Sequence, residues 1–178
     1  MHNHRAASRY AKSLLVLARE QGVLEKVMTD MQLFLSAIEQ SRQLDLVLKN
    51  PIVNNDKKSK ILHALFGKRM DKLTLAAFDL ITRKNRDNIL REIAREFVVQ
   101  YNNLKGLQEA EVITTIPIED DLRQEFAGLV KKISGKEARL REVVNEDIVG
   151  GFILNVGDRR LDNSLRSQLN KIKRELTN

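Results

Sequence analysis

The pattern of apolar residues changes near Gly106, and this change constrains the fold more than any other feature of the sequence. Before it, apolar side chains recur every three or four residues, as in Leu24–Ile38, which is the period of an amphipathic helix. After it, the β-branched stretch Ala110–Ile118 contains a proline near its end and favours a strand. We therefore predict a mainly α-helical chain, with an N-terminal six-helix bundle over residues 1–105 and a small α+β domain over residues 106–178.

Residues that begin or end helices support this division. Gly22, Gly67 and Gly106 follow apolar periodic runs, where a glycine commonly ends a helix. Asn54 to Asp56 and Asp71 precede such runs and are suitable N-caps. The predicted helices cover residues 5–21, 23–40, 44–48, 57–66 and 72–84, with a sixth that Asp87 or Asn88 caps and that runs to Leu104.

The second half mixes strand and helix signals. Glu119–Asp121 places acidic residues at a helix N-terminus, where they complement the helix dipole. That helix is expected to end at about Ile133, before Ser134 and Gly135. The remaining predictions are strands at 110–118, 138–144 and 152–156, a short return strand at 159–161, and a final helix at 163–176.

Charge is distributed unevenly along the chain, whose net charge is +7. Residues 1–105 carry 19 Lys and Arg against 11 Asp and Glu, a balance of +8, whereas residues 106–178 carry 12 against 13, a balance of −1. A basic first half favours an acidic partner such as nucleic acid, an anionic membrane face or an acidic protein. A solvated helical surface rich in Lys and Arg explains the same numbers, and composition does not separate the two.

The sequence offers no arrangement of residues that is typical of catalysis. The three histidines, His2, His4 and His63, have no carboxylate or cysteine at a motif spacing, and the chain contains no cysteine. Gly150-Gly151 lacks the Gly-Lys-Ser/Thr ending of a phosphate-binding loop. The acidic residues of Glu119–Asp121 point in different directions from a helix start, which argues against a cation site. We predict no catalytic residue, no cofactor and no metal.

Two other interpretations of the charged and apolar segments remain open. The basic segments Lys57–Lys60, Lys68-Arg69 and Arg83–Arg86 are compatible with phosphate contacts, but aromatic residues make up only 4% of the chain, which disfavours stacking on bases. The first and fifth predicted helices carry more apolar residues than one face needs, as in Tyr10–Ala18 and Leu73–Ile81. Such helices are either central in the bundle or partly exposed to a partner helix.

The C-terminal segment has the most specific spacing in the chain. Gly150 and Gly151 open a short apolar run, and Gly157-Asp158 closes it in a tight turn. Asp162 or Ser164 then caps the final basic helix. The segment contains no nucleophile, base or metal ligand, so it indicates packing and recognition.

With these motifs, the whole chain resembles the family of the bacterial F-type ATP synthase delta subunit and the mitochondrial oligomycin-sensitivity-conferring protein. The strongest part of the resemblance is the series Gly150, Gly151, Gly157, Asp158, Asp162 and Ser164 before a terminal helix. Weaker parts are Arg9–Leu14, Asn50-Pro51 and Lys84–Arg86. The chain departs from the family pattern at Thr115-Ile116, at Arg159-Arg160 and at Asn163, where the family often has glycine and where asparagine tolerates a left-handed backbone.

The resemblance implies a non-catalytic stator subunit of a proton- or sodium-translocating F-type ATP synthase. Its N-terminal domain would receive N-terminal helices of alpha subunits, and its C-terminal domain would contact b-type subunits of the peripheral stalk. It would be associated with the cytoplasmic face of a bacterial plasma membrane through the complex alone, without binding nucleic acid. Carried onto this chain, the resemblance predicts an alpha-binding groove formed by Tyr10, Leu14, Leu17, Ala77, Leu80 and Ile81.

Two competing functions follow from the residues alone. The basic first half is compatible with a nucleic-acid-binding protein, which would show binding that depends steeply on salt concentration. An enzyme of unrecognised type is the other alternative, because a polar site can assemble from residues that are distant in sequence.

Overall fold

The structure, a computed structural model, describes residues 2–177, and the chain divides into two compact units between Tyr101 and Asn102. This division lies within a helix, a few residues before the boundary expected from the sequence. The chain is mainly helical, with one small four-stranded sheet in its C-terminal part. The predicted fold class is confirmed at this level.

The first unit is built from helices connected by short turns. Their bounds are α1 His2–Glu20, α2 Leu24–Gln40, α3 Arg42–Lys49, α4 Asn55–Phe66, α5 Lys72–Arg83 and α6 Leu90–Leu104, with a short 3-10 helix at Asp87–Ile89. Aromatic rings form the centre of its core. The ring of Phe34 lies 5.8 Å from that of Phe66 and 4.7 Å from that of Phe78, between centroids.

Side-chain caps explain where several of these helices begin. The Asn54 side chain accepts a hydrogen bond from the backbone N–H of Asp56, and the Asp71 side chain accepts one from that of Leu73. Gly22 has φ +69° and allows the N–H of Val23 to reach the carbonyl oxygen of Ala18 at 2.9 Å, which ends α1.

Two predictions in this unit were wrong in detail. The third helix begins at Arg42 and not at Leu44, because the Ser41 hydroxyl caps it. The sixth helix is not capped by Asp87 or Asn88. Instead, the Asp87 carboxylate is buried against Lys58, and a 3-10 turn precedes α6.

The second unit is a sheet with one helix between its two parallel strands. Its elements are β1 Leu107–Thr114, α7 Asp120–Ser134, β2 Glu137–Val144, a 3-10 helix Glu146–Ile148, β3 Phe152–Val156, β4 Arg159–Asp162 and α8 Leu165–Thr177. The strand order is β2-β1-β3-β4. β1 pairs in parallel with β2 and antiparallel with β3, whereas β3 and β4 form a hairpin. Phe126 on α7 packs against Phe152 on β3, with ring centroids 4.9 Å apart.

The first strand was predicted too late in the sequence. It covers Leu107–Thr114 and not 110–118, because its register with β2 starts at the pair Leu107 and Glu137. The strand ends where the Thr114 hydroxyl donates to the carbonyl oxygen of Ile116 and turns the chain before Pro117. The left-handed backbone that asparagine would tolerate at position 163 is not used, since the non-glycine residues with positive φ among those described are Asn85 and Val149.

A search of residues 2–177 found no helix with the length and apolar character needed to cross a membrane.

Candidate functional site

An open apolar groove runs between α1 and α5 in the first unit. It contains all six of the residues expected for an alpha-binding site. The groove is lined by Tyr10, Ser13, Leu14, Leu17, Leu73, Ala76, Ala77, Leu80, Ile81 and Ile93.

The groove has a buried floor and an exposed rim. Leu14 and Ile81 are 5% and 3% exposed, so they belong to the core beneath the groove. Leu17 and Leu80 are 44% and 53% exposed and stand at its edges. Ala77 also lines the groove and is half-buried. The exposed apolar surface of the rim is of the kind that a second helix covers.

Helical spacing places these residues together. Tyr10, Leu14 and Leu17 follow one another at i, i+4 and i+7 on α1, and Leu73, Ala77 and Leu80 repeat that spacing on α5. Four lining residues were not predicted. Leu73 and Ala76 were available from the α5 spacing, whereas Ser13 and Ile93 were not: Ser13 is polar, and Ile93 comes from α6 and reaches the groove through tertiary packing.

A polar recess continues the groove at one end. It is lined by Ala6, Arg9, Tyr10, Ser13 and Arg86, and it shares Tyr10 and Ser13 with the groove. The guanidinium carbon of Arg86 lies 5.9 Å from the centroid of the Tyr10 ring, a cation–π distance. Arg86 thus contributes to this end of the groove, a role that sequence reasoning missed.

The C-terminal glycines stand where backbone segments approach closely. A Cβ atom on Gly151, which has φ +77°, would lie 2.3 Å from the carbonyl oxygen of Asn163. A Cβ atom on Gly150 would lie 2.7 Å from Cδ1 of Leu165. Gly157 has φ +56° and forms the β3–β4 turn together with Asp158. These positions hold the chain between β3 and the start of α8.

Asp162 and Ser164 organise the start of α8. One Asp162 carboxylate oxygen accepts hydrogen bonds from the Ser164 hydroxyl at 2.7 Å and from the Ser164 backbone N–H at 3.1 Å. The Ser164 oxygen in turn accepts from the backbone N–H of Ser167 at 3.3 Å, as an N-cap does. The Ser164 hydroxyl is the main cause that lowers the pKa of Asp162 to about 2. Both predicted candidates therefore take part, with Ser164 as the cap.

A second polar recess lies between α4 and α5. His63 Nε2 is 2.9 Å from one carboxylate oxygen of Asp79, and the Ser59 hydroxyl donates to the other at 2.6 Å. Burial acts to raise the pKa of Asp79, but the hydrogen bonds from Ser59 and His63 outweigh it and lower the pKa. Because the serine is bonded to the aspartate and not to the histidine, this arrangement does not prepare Ser59 as a nucleophile.

One of the acidic residues at the start of α7, Asp120, is used in an ion pair. Arg123 is bonded to Asp120, and its Nε atom lies 2.7 Å from the carboxylate of Glu142. Among the described residues, no group of three His, Cys, Asp or Glu side chains is arranged to hold a metal ion.

Comparison with known proteins shows which family the chain belongs to. Residues 6–176 match the family model described as the ATP synthase delta (OSCP) subunit. The chain is 44% identical over 177 residues to ATP synthase subunit delta of Cytophaga hutchinsonii, covering 99% of this chain and 97% of the relative. It is 40% identical over 174 residues to the same subunit of Amoebophilus asiaticus, covering 97% and 95%.

The fold is also found in a solved structure. A chain in the cryo-EM structure of the Toxoplasma gondii mitochondrial ATP synthase hexamer superposes with a TM-score of 0.71 at 23% identity, covering 97% of both chains. The match to the family model and to these relatives places the chain among the structural subunits of the peripheral stalk of a rotary enzyme, and not among its catalytic subunits. Within that class, the chain belongs to the ATP synthase delta (OSCP) subunit family.

Proposed function

We propose that α1 to α6 form a bundle whose groove receives the N-terminal helix of an ATP synthase alpha subunit. In this proposal residues 1–105 bind the catalytic head, and residues 106–178 contact the b-type subunits of the peripheral stalk. The chain then connects head and stalk without taking part in the chemistry, in keeping with the family to which it belongs.

The observation that carries the proposal is the exposed rim of the groove. Leu17 on α1 and Leu80 on α5 both expose apolar surface above a floor that is already packed. Covering their exposed surface would stabilise a complex by about 1 kcal/mol per side chain, roughly half the gain from burying a whole leucine. An amphipathic helix is the simplest partner with a matching apolar stripe.

The function of a stator requires binding surfaces and no catalytic group. Torque on the central shaft of the enzyme would turn the head unless a second connection held it still. Two separate contacts, one through each half of the chain, raise the effective concentration of each for the other. Moderate individual affinities then combine into a firm connection.

The proposed location follows from the complex. F-type ATP synthase is membrane-associated, and we place this subunit on the cytoplasmic face of a bacterial plasma membrane, attached through its partners. The coupling ion of that complex is a proton or a sodium ion.

Calorimetric titration of the full chain with a synthetic peptide tests the alpha contact. The peptide carries the N-terminal residues of the alpha subunit from the same organism. We expect Leu17→Asp and Leu80→Asp to weaken binding at least about tenfold, because each places a carboxylate in an apolar contact. Circular dichroism establishes that the variants are folded.

Leu46→Asp is the matched control, because Leu46 is 56% exposed on α3 and does not line the groove. It should bind the peptide like the wild type. A folded wild-type chain that does not bind the peptide, or equal weakening by all three substitutions, would contradict the proposed groove.

A further inference from the structure

We propose that the groove binds its helix in one orientation, and that Arg9 and Arg86 set this orientation by binding a carboxylate at one end of the incoming helix. The inference rests on the proposed function, since it concerns the helix that occupies the same groove. It adds the chemistry that the occupant must have: an acidic side chain just beyond its apolar stripe.

The first argument is continuity between the apolar groove and the basic recess. Tyr10 and Ser13 line both. Tyr10 and Leu17 are seven residues apart on α1, which corresponds to about 10 Å along the helix axis. A helix that covers Leu17 and Tyr10 therefore reaches the recess with its next turn.

The second argument is that the two arginines are available. Among the described residues, neither Arg9 nor Arg86 forms an ion pair with a carboxylate. Their guanidinium groups are therefore not neutralised by a carboxylate, as the ammonium groups of Lys26 and Lys49 are by Asp71 at 3.2 Å and by Asp45 at 2.8 Å. The recess is thus a place where positive charge is not neutralised within the unit.

The third argument is that Arg86 is held in position. Its guanidinium group lies over the Tyr10 ring, and its backbone N–H donates to the carbonyl oxygen of Ile81 at 3.0 Å. An arginine placed on an aromatic face loses less side-chain freedom when it binds a carboxylate, and its planar fork suits two parallel hydrogen bonds.

The opposite end of the groove has no comparable excess of charge. On α1, Arg19 and Glu20 follow Leu17 within three residues, and Asp71 and Lys72 directly precede Leu73. Two basic and two acidic residues stand there and balance one another, whereas the residues that line the recess include two arginines and no acidic residue. A helix with a carboxylate at one end of its apolar stripe is therefore bound more favourably in one direction than in the other.

The test is a double-mutant cycle with the full chain and the synthetic alpha N-terminal peptide. Arg9→Gln and Arg86→Gln each remove one charge from the recess. Lys12→Gln is the control, because Lys12 lies on the same helix, is exposed and lines neither the groove nor the recess. In the peptide, each Asp or Glu is replaced in turn by Asn or Gln, and affinities are measured by calorimetry.

We expect Arg9→Gln and Arg86→Gln each to weaken binding about two- to fivefold, which is the range of a partly exposed ion pair. Lys12→Gln should leave the affinity unchanged. One peptide carboxylate should account for the effect, so that its amide variant binds wild type and Arg86→Gln equally. A spin label at that end of the peptide should broaden NMR signals near Tyr10 more than those near Leu17.

Two outcomes would overturn the inference, and they are distinguishable. If the wild-type chain binds the peptide but both arginine variants behave like Lys12→Gln, the groove stands and its direction is not set by the recess. If the folded wild-type chain does not bind the peptide at all, the proposed function fails and the inference fails with it.

Discussion

The ammonium group of Lys58 on α4 is bonded to the carboxylate of Asp87 in the interior of the first unit, where both side chains are buried. Lys58 Nζ also donates to the carbonyl oxygen of Leu48 at 3.0 Å. The pair therefore connects the end of α3, the first half of α4 and the turn before α6.

Removing one partner of this pair should destabilise the chain strongly. Lys58→Met and Asp87→Leu each leave an unpaired buried charge, which costs about 3–5 kcal/mol. The double variant leaves none, so it should lose much less than the sum of the two. Urea denaturation followed by tyrosine fluorescence reports on this unit, because the two tyrosines are Tyr10 and Tyr101 and the chain has no tryptophan. Additive losses would mean that the two charges are not coupled.

The floor and the rim of the groove should respond differently to truncation. Leu14→Ala removes a buried side chain and should lower the free energy of unfolding by about 2–5 kcal/mol. Leu80→Ala removes a side chain that is more than half exposed and should cost less than about 1 kcal/mol. Its effect should appear in peptide binding. The same urea titration measures both, and a large loss of stability in Leu80→Ala would contradict this division.

The two glycines at the ends of β3 should also differ. Gly157→Ala meets no atom closer than 3.7 Å and should cost about 1–2 kcal/mol, the price of a left-handed alanine. Gly151→Ala adds a clash with the backbone of Asn163 and should cost more than about 2 kcal/mol. Hydrogen exchange of β3 amides measures the second unit directly. Equal effects would show that the backbone near Asn163 can move away.

The stability of the start of α8 should depend on the ionisation of Asp162 at low pH. Its pKa is about 2 in the folded chain against an ordinary value of 3.8, so the group binds protons more readily when unfolded. Its stabilising contribution is therefore complete above the ordinary value and is lost as the pH falls towards 2. A carbon-detected NMR titration should give a midpoint near 2, and Ser164→Ala should raise it. A midpoint at the ordinary value would contradict the hydrogen bonds seen here.

The sequence predicted the elements well where local signals are strong. Asn54 and Asp71 cap helices in the structure as the sequence indicated, and the spacing on α1 and α5 brings the six expected groove residues to one surface. These features depend on neighbours within about one or two turns of helix. Local periodicity is sufficient to place them.

Features that depend on tertiary contact were not predicted. Asp87 has the residue type and position of a cap, but a buried lysine from another helix takes its carboxylate. His63 has no carboxylate nearby in sequence, and its partner Asp79 lies on the adjacent helix. The first strand begins earlier than its β-branched residues suggest, because pairing with β2 decides its register. In each case a distant partner outweighs the local preference.

The chain passes from α6 into the sheet at β1, which is a central strand with neighbours on both sides. Tension carried along the backbone from the first unit would therefore enter between two hydrogen-bonded ladders and load both. An edge strand such as β4 is held by one ladder of hydrogen bonds, whereas β1 leaves the sheet only when the bonds of both of its ladders break. In a subunit of the peripheral stalk, this strand order strengthens the point at which the chain enters the sheet, because the load is shared by two ladders.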